Sequence, residues 1–86
     1  MTPIMGAAPD IKGWVENMAR DLVDRTEEVE VRVVEEEGAT VLELAVNPDE
    51  MGRVIGRQGR TAQALRTLLG LAGAKFGANY ELEILE

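Results

Sequence analysis

Val54-Ile55-Gly56-Arg57-Gln58-Gly59-Arg60 is the stretch on which the fold turns. Two glycines three residues apart bracket one basic and one amide side chain. Helix-compatible sequence stands on both sides, Pro48-Asp49-Glu50-Met51-Gly52-Arg53-Val54-Ile55 before it and Thr61-Ala62-Gln63-Ala64-Leu65-Arg66 after it. A helix, a tight turn lacking Cβ at two corners, and a second helix starting at once leave the backbone N–H groups of the turn pointing outward. Those donors, the positive end of the second helix, and Arg57 and Arg60 together suit a phosphate. A pair of glycines at this spacing is common and also serves merely to break a helix. The basic residues inside and just after the pair are what make it specific.

Working outward, the periodicity predicts the remaining elements. Asp10 is placed to cap a helix over 10–24 whose apolar stripe is Ile11, Trp14, Val15, Met18, Leu22 and Val23. Val29, Val31 and Val33 alternate with charged residues as one half-buried strand. Glu35 to Ala39 turns the chain, and a second strand over 40–46 buries Leu42, Leu44 and Val46. Asn47 caps a short helix with Pro48 at its first position, which must end at Gly56. The next helix, from about Gly59 to Lys75, points Ala62, Leu65, Leu69, Ala72 and Phe76 at the core. Gly77 stops it, and Tyr80, Leu82 and Ile84 form a third alternating strand. The order α-β-β-α-α-β predicts an α+β domain. Its first two strands form a hairpin, and a right-handed crossover sets the third parallel to the second. Three helices then cover one face of a mixed three-stranded sheet. Residues 10–86 make this single domain, preceded by a flexible tail over 1–9.

Charge is distributed unevenly. Net charge is −7, yet Met51 to Tyr80 holds five basic residues and no acidic one. Residues 1–50 carry four basic and thirteen acidic side chains, and 81–86 carry three acidic ones. An acidic protein is repelled by bulk nucleic acid, so a basic island on it suits one short strand held in one place. With no cysteine and no histidine, disulfides, zinc fingers, thiol catalysis and imidazole catalysis are excluded. The carboxylates converge on no nucleophile, and the turn lacks the Gly-Lys-Ser/Thr ending of a nucleotide-hydrolysing loop. No enzyme activity, metal or cofactor is expected. No apolar run approaches membrane-spanning length and no export leader opens the chain, so a soluble cytoplasmic protein is expected.

The element order and the run Pro48 to Arg60, followed by Ala64-Leu65-Arg66-Thr67, resemble type II KH domains. Among these the chain resembles the small single-KH RNA-binding proteins of bacteria, the KhpA family. The resemblance spans about residues 10–86. It implies binding of single-stranded RNA through Gly56-Arg57-Gln58-Gly59, with Arg53, Ile55 and Arg60 beside it. It further implies a cytoplasmic homodimer, pairing with a larger KH-containing protein of the Jag type, and a part in cell-envelope growth and division. Arginine stands at 53 and 57 where lysine is frequent in the family, which keeps the charge.

Several residues allow two readings. Val54 and Ile55 both suit the core, and Ile55, next to the turn, also suits the floor under a base. Arg53 and Arg66 are either solvated helix charges or contacts. Trp14 and Tyr80 lie on apolar stripes and are expected to pack rather than to stack on bases. Ala64, Leu68 and Leu71, with Lys75 beside them, form a second apolar strip on the long helix, about a quarter turn from the core stripe. That strip is either covered by the first helix or is a protein contact, a homodimer interface or a seat for another KH protein.

Overall fold

The computed structural model describes residues 10–86. The tail expected over 1–9 lies outside the described residues. Helix α1 spans Ile11–Leu22, and Asp10 caps it by accepting the Gly13 N–H at 2.9 Å. Strands β1 (Glu30–Glu36) and β2 (Ala39–Ala45) form an antiparallel hairpin in which Val31 faces Leu44 and Val33 faces Leu42. One 3-10 turn, Pro48–Glu50, leads into the short helix α2 (Met51–Ile55). Helix α3 (Arg60–Phe76) and strand β3 (Tyr80–Ile84) complete the chain. β3 runs parallel to β2, Leu82 beside Leu42, and the sheet order is β1-β2-β3. The expected α+β order, the mixed sheet and the helices on one face are all present.

Core packing follows the alternation. Leu42 and Leu44 of the central strand are fully buried, with Val15, Ala19, Val31, Val54, Leu65, Leu69 and Leu82 around them. The opposite face of the sheet carries Glu30, Glu36, Glu43, Glu81 and Glu83, relieved by Arg32, which pairs with Glu43 at 3.3 Å. Phosphates are repelled from that side and have the helical side open to them.

Three expectations about the core are corrected. Val33 is 43 % exposed. α1 begins only at Ile11, so Val33 opens into a hollow shared with Ile11, Thr40 and Tyr80. Phe76 is 44 % exposed, and Gly73 takes its place on the stripe. The chain reverses at Gly77 and packs back so closely that a Cβ on Gly73 would lie 2.5 Å from the Ala78 carbonyl oxygen and 3.6 Å from the Tyr80 ring. Tyr80 therefore fills the space under the helix end, and Phe76 is turned out beneath Lys75, whose Nζ sits 6.0 Å from the ring centre. Trp14 is only half-buried. It packs on the core but also walls a groove of about 330 Å³ with Ile11, Leu68 and Ala72.

Candidate nucleic-acid interface

The turn between α2 and α3 is built from left-handed backbone. Gly56 adopts φ 79°, ψ 169°, a combination open essentially to glycine alone. Gly59 adopts φ 74°, ψ 13°. Between them Gln58 is held at φ 57°, ψ 26°, and it is the one described residue other than glycine with positive φ. The Gly59 N–H donates to the Gly56 carbonyl at 3.0 Å and the Arg60 N–H to the Arg57 carbonyl, so the turn is closed by its own backbone. A Cβ at Gly56 would overlap the Thr61 side chain and sit 2.8 Å from the Thr61 nitrogen. The first glycine thus lets α2 end directly against the start of α3. The second is needed only for its backbone angle, since nothing lies within 4 Å of a Cβ there.

This geometry leaves the N-terminus of α3 without a side-chain cap and without an acidic residue in its first turn. A 17-residue helix thereby presents the positive end of its dipole at the turn with no side-chain acceptor on its first N–H groups. Arg57 is exposed and makes no ion pair among the described residues. Arg60 donates through Nη2 to Oε1 of the Gln58 side chain at 3.0 Å, which braces that amide across the turn. Gly56, Arg57, Gln58, Gly59 and Arg60 are therefore gathered at one helix end. Ile55, half-buried, precedes them, and Val54 is the fully buried member of the pair.

Arg53 faces another way. Its Nη1 lies 3.0 Å from Asp24 and 3.7 Å from Glu50, so the guanidinium is turned toward the connection between α1 and β1. Glu50 was not singled out by sequence reasoning, yet it is the one buried charged side chain among the described residues, 6 % exposed. Its carboxylate accepts the N–H of Asp24 at 2.7 Å and of Arg25 at 3.1 Å. A five-residue helix cannot hold its own position. Glu50 ties the start of α2 to the end of α1, and Asn47, bonded through its amide to Glu28 at 2.9 Å, ties the preceding loop to the same region. The donors are 25 and 26 residues away in sequence, so no local signal marked them.

The strip of Ala64, Leu68 and Leu71 lies outside the core: Leu68 is 45 % and Leu71 64 % exposed. α1 reaches only the near edge, where Leu68 and Ala72 face Ile11 and Trp14 across the groove. No helix of the described residues is long and apolar enough to cross a membrane, and no group of three or more carboxylates among them is arranged to hold a metal.

The comparisons with known proteins agree with this fold. A family model described as KhpA/KhpB, KH domain, matches residues 12–84. RNA-binding protein KhpA of Aquifex aeolicus is 50 % identical over 76 residues, covering 88 % of this chain and 96 % of that protein. The protein of the same name from Borreliella burgdorferi is 46 % identical over 72 residues, covering 84 % and 88 %. Its counterpart from Clostridium perfringens is 44 % identical over 75 residues, covering 87 % of this chain and all of the relative. The matched span takes in all but the first residue of α1, the other helices and the turn between α2 and α3, and the chain belongs to the KhpA/KhpB KH-domain family.

Proposed function

We propose that this chain binds single-stranded RNA by clamping a short segment of its sugar–phosphate backbone, about four nucleotides, on the Gly56–Arg60 turn. The observation that carries the reading is the uncapped positive end of α3, set beside Arg57 and Arg60 with no carboxylate in its first turn. Phosphate oxygens complete the missing hydrogen bonds of that helix end, and the two guanidiniums neutralise them. The relatives' names, RNA-binding protein KhpA, support the same ligand. With Ile55 half-buried at the edge of the turn, a base can rest on aliphatic surface rather than stack on a ring. Arg53 joins the clamp only by leaving Asp24 and Glu50.

Two such domains work as a homodimer through Ala64, Leu68 and Leu71, and the family resemblance extends the reading to a cytoplasmic protein that also pairs with a larger Jag-type KH protein. Post-transcriptional regulation of cell-envelope growth and division is the process it implies. The exposed Leu68 and Leu71 favour a second reading, an adaptor whose main work is protein contact.

One double variant separates the two. Arg57→Asp with Gln58→Asp sets two negative charges on the path of the phosphates. Both side chains are exposed, and aspartate tolerates the left-handed angles at position 58. RNA binding in fluorescence anisotropy is expected to collapse while the thermal melt moves little. Undiminished binding by the double variant would remove the turn from the site.

A further inference from the structure

The two sides of the turn are held in different ways. α3 buries Ala62, Leu65, Leu69 and Gly73 along its length, so the core fixes both its place and its direction. α2 has five residues and one buried side chain, Val54, with Met51 only partly buried. A single apolar anchor fixes a point but not a direction. The second fixed point of α2 is polar. Glu50 stands directly before the helix, and each of its carboxylate oxygens accepts one backbone N–H, Oε2 that of Asp24 and Oε1 that of Arg25. Bonds to both oxygens keep the carboxylate from rotating. The segment that donates them is itself firm. Val23 and Val29 are buried at its two ends. Between them the N–H groups of Thr26, Glu28 and Val29 bond to the carbonyls of Asp24, Arg25 and Thr26 at 3.0, 3.1 and 3.2 Å.

We propose that Glu50 is a positioning residue for RNA binding: by fixing the direction of α2, it holds Gly56 and Arg57 where the phosphates pass. The inference rests on the clamp reading, which places RNA at the turn. Along the helix, Glu50 lies about 6 Å before Val54 and Gly56 about 3 Å beyond it. α2 is thus a lever on the Val54 pivot, and movement at Glu50 shifts the turn by about half as much the other way. Arg53 reinforces the tether, its Nη1 bridging Asp24 at 3.0 Å and Glu50 at 3.7 Å. Charge-assisted hydrogen bonds to phosphate span a narrow range of length. A turn that holds its binding geometry only part of the time loses affinity in that proportion. The sign of the effect separates this role from that of a bystander charge. A carboxylate about 10 Å from a phosphate weakens binding by about 2-fold at most, and removing it tightens binding. Releasing the lever does the opposite.

The test is anisotropy with an all-uridine RNA oligonucleotide, at a temperature where circular dichroism shows each variant fully folded, so that lost stability does not register. Glu50→Gln leaves one carbonyl oxygen for two N–H groups and turns an NH2 toward the other. It should bind about 10-fold more weakly, as for a turn in its binding geometry about a tenth of the time. Glu50→Asp keeps the charge and both acceptors and should recover most of the affinity. The slope of affinity against salt should stay that of wild type, because no phosphate contact is removed; a slope flatter by about 0.7 marks a lost contact and overturns the proposal. Wild type gives an independent readout. By reciprocity, RNA that holds the turn also holds the tether, so saturating RNA should slow hydrogen exchange at the Asp24 and Arg25 N–H groups. The Val29 N–H, bonded within the same segment but not to Glu50, sets the baseline. This measurement decides the matter if Glu50→Gln fails to fold. Unchanged or tighter binding by Glu50→Gln overturns the proposal, as does a Glu50→Asp protein as weak as Glu50→Gln, or exchange at Asp24 and Arg25 that follows Val29. The double variant at 57 and 58 separates the two readings. If it loses RNA while Glu50→Gln does not, only Glu50 is misassigned. If it binds normally, the clamp reading fails and the role of Glu50 with it.

Discussion

Replacing Gly56 by alanine puts a Cβ on backbone held at φ 79°, ψ 169°, which costs a residue other than glycine about 1–3 kcal/mol. The same Cβ overlaps Thr61 and lies 2.8 Å from its backbone nitrogen. That nitrogen belongs to the first turn of α3, so no rotamer change relieves the contact and the helix start must shift. Overpacking of this kind adds about 1–3 kcal/mol. The total of about 2–6 kcal/mol reaches the lower end of the stability of a domain this small, about 4–12 kcal/mol. Gly59→Ala is the matched control. Its Cβ meets nothing within 4 Å, so only the left-handed penalty of about 1–2 kcal/mol remains. Urea titrations followed by circular dichroism should therefore put the Gly56→Ala midpoint below that of Gly59→Ala by about 1–3 M, from a slope of about 1–1.5 kcal/mol per molar for a small domain. Equal midpoints, or the greater damage in Gly59→Ala, would refute the account of the turn as a close approach of α2 to α3.

Glu50→Ala should cost about 2–4 kcal/mol, because the N–H groups of Asp24 and Arg25 lose a buried charged acceptor, and calorimetry should show a melt lowered by about 10–25 °C. Leu68→Glu should leave the domain folded, since the side chain is 45 % exposed, whereas Leu69→Glu, at 1 % exposed, should unfold it. Analytical ultracentrifugation should find wild type dimeric at micromolar concentrations and Leu68→Glu monomeric; a monomeric wild type ends the interface proposal. RNA affinity should fall with salt along a shallow slope of about −1.4 to −2.1, two or three phosphate contacts at about −0.7 each for a single strand. A slope several times steeper would mean a broad basic surface rather than one turn.

The elements and their order were legible in the chain because each is specified by near neighbours. Alternating valines and leucines give strands only at period two, and Leu65 and Leu69 align only on a helix. Gly56 and Gly59 signal left-handed backbone wherever they stand. The parallel seat of β3 followed from the handedness of crossovers. The basic island was equally visible, since charge can be counted along a line. Phe76 and Val33 were misplaced for one reason: periodicity states which face a residue occupies, not where the opposing layer stops. α1 starts too late to cover Val33, and the return of the chain at Gly77 gives Tyr80 the place that the stripe assigned to Phe76.

Side-chain partners across long sequence separations belonged to the tertiary structure alone. Glu50 looks like an ordinary acidic residue in a first helical turn, and burial beneath two N–H groups near residue 25 makes it a tether for α2. Arg53 stands beside the turn in sequence, and its ion pair with Asp24 is visible only in the fold. Arg66 looks like a solvated charge until β3 brings the Leu82 carbonyl to it across 16 residues of chain. Local sequence sets the backbone's path, because propensity, capping and turn angles act over a few residues. Which polar groups meet is decided when packing of the apolar core brings distant segments into register.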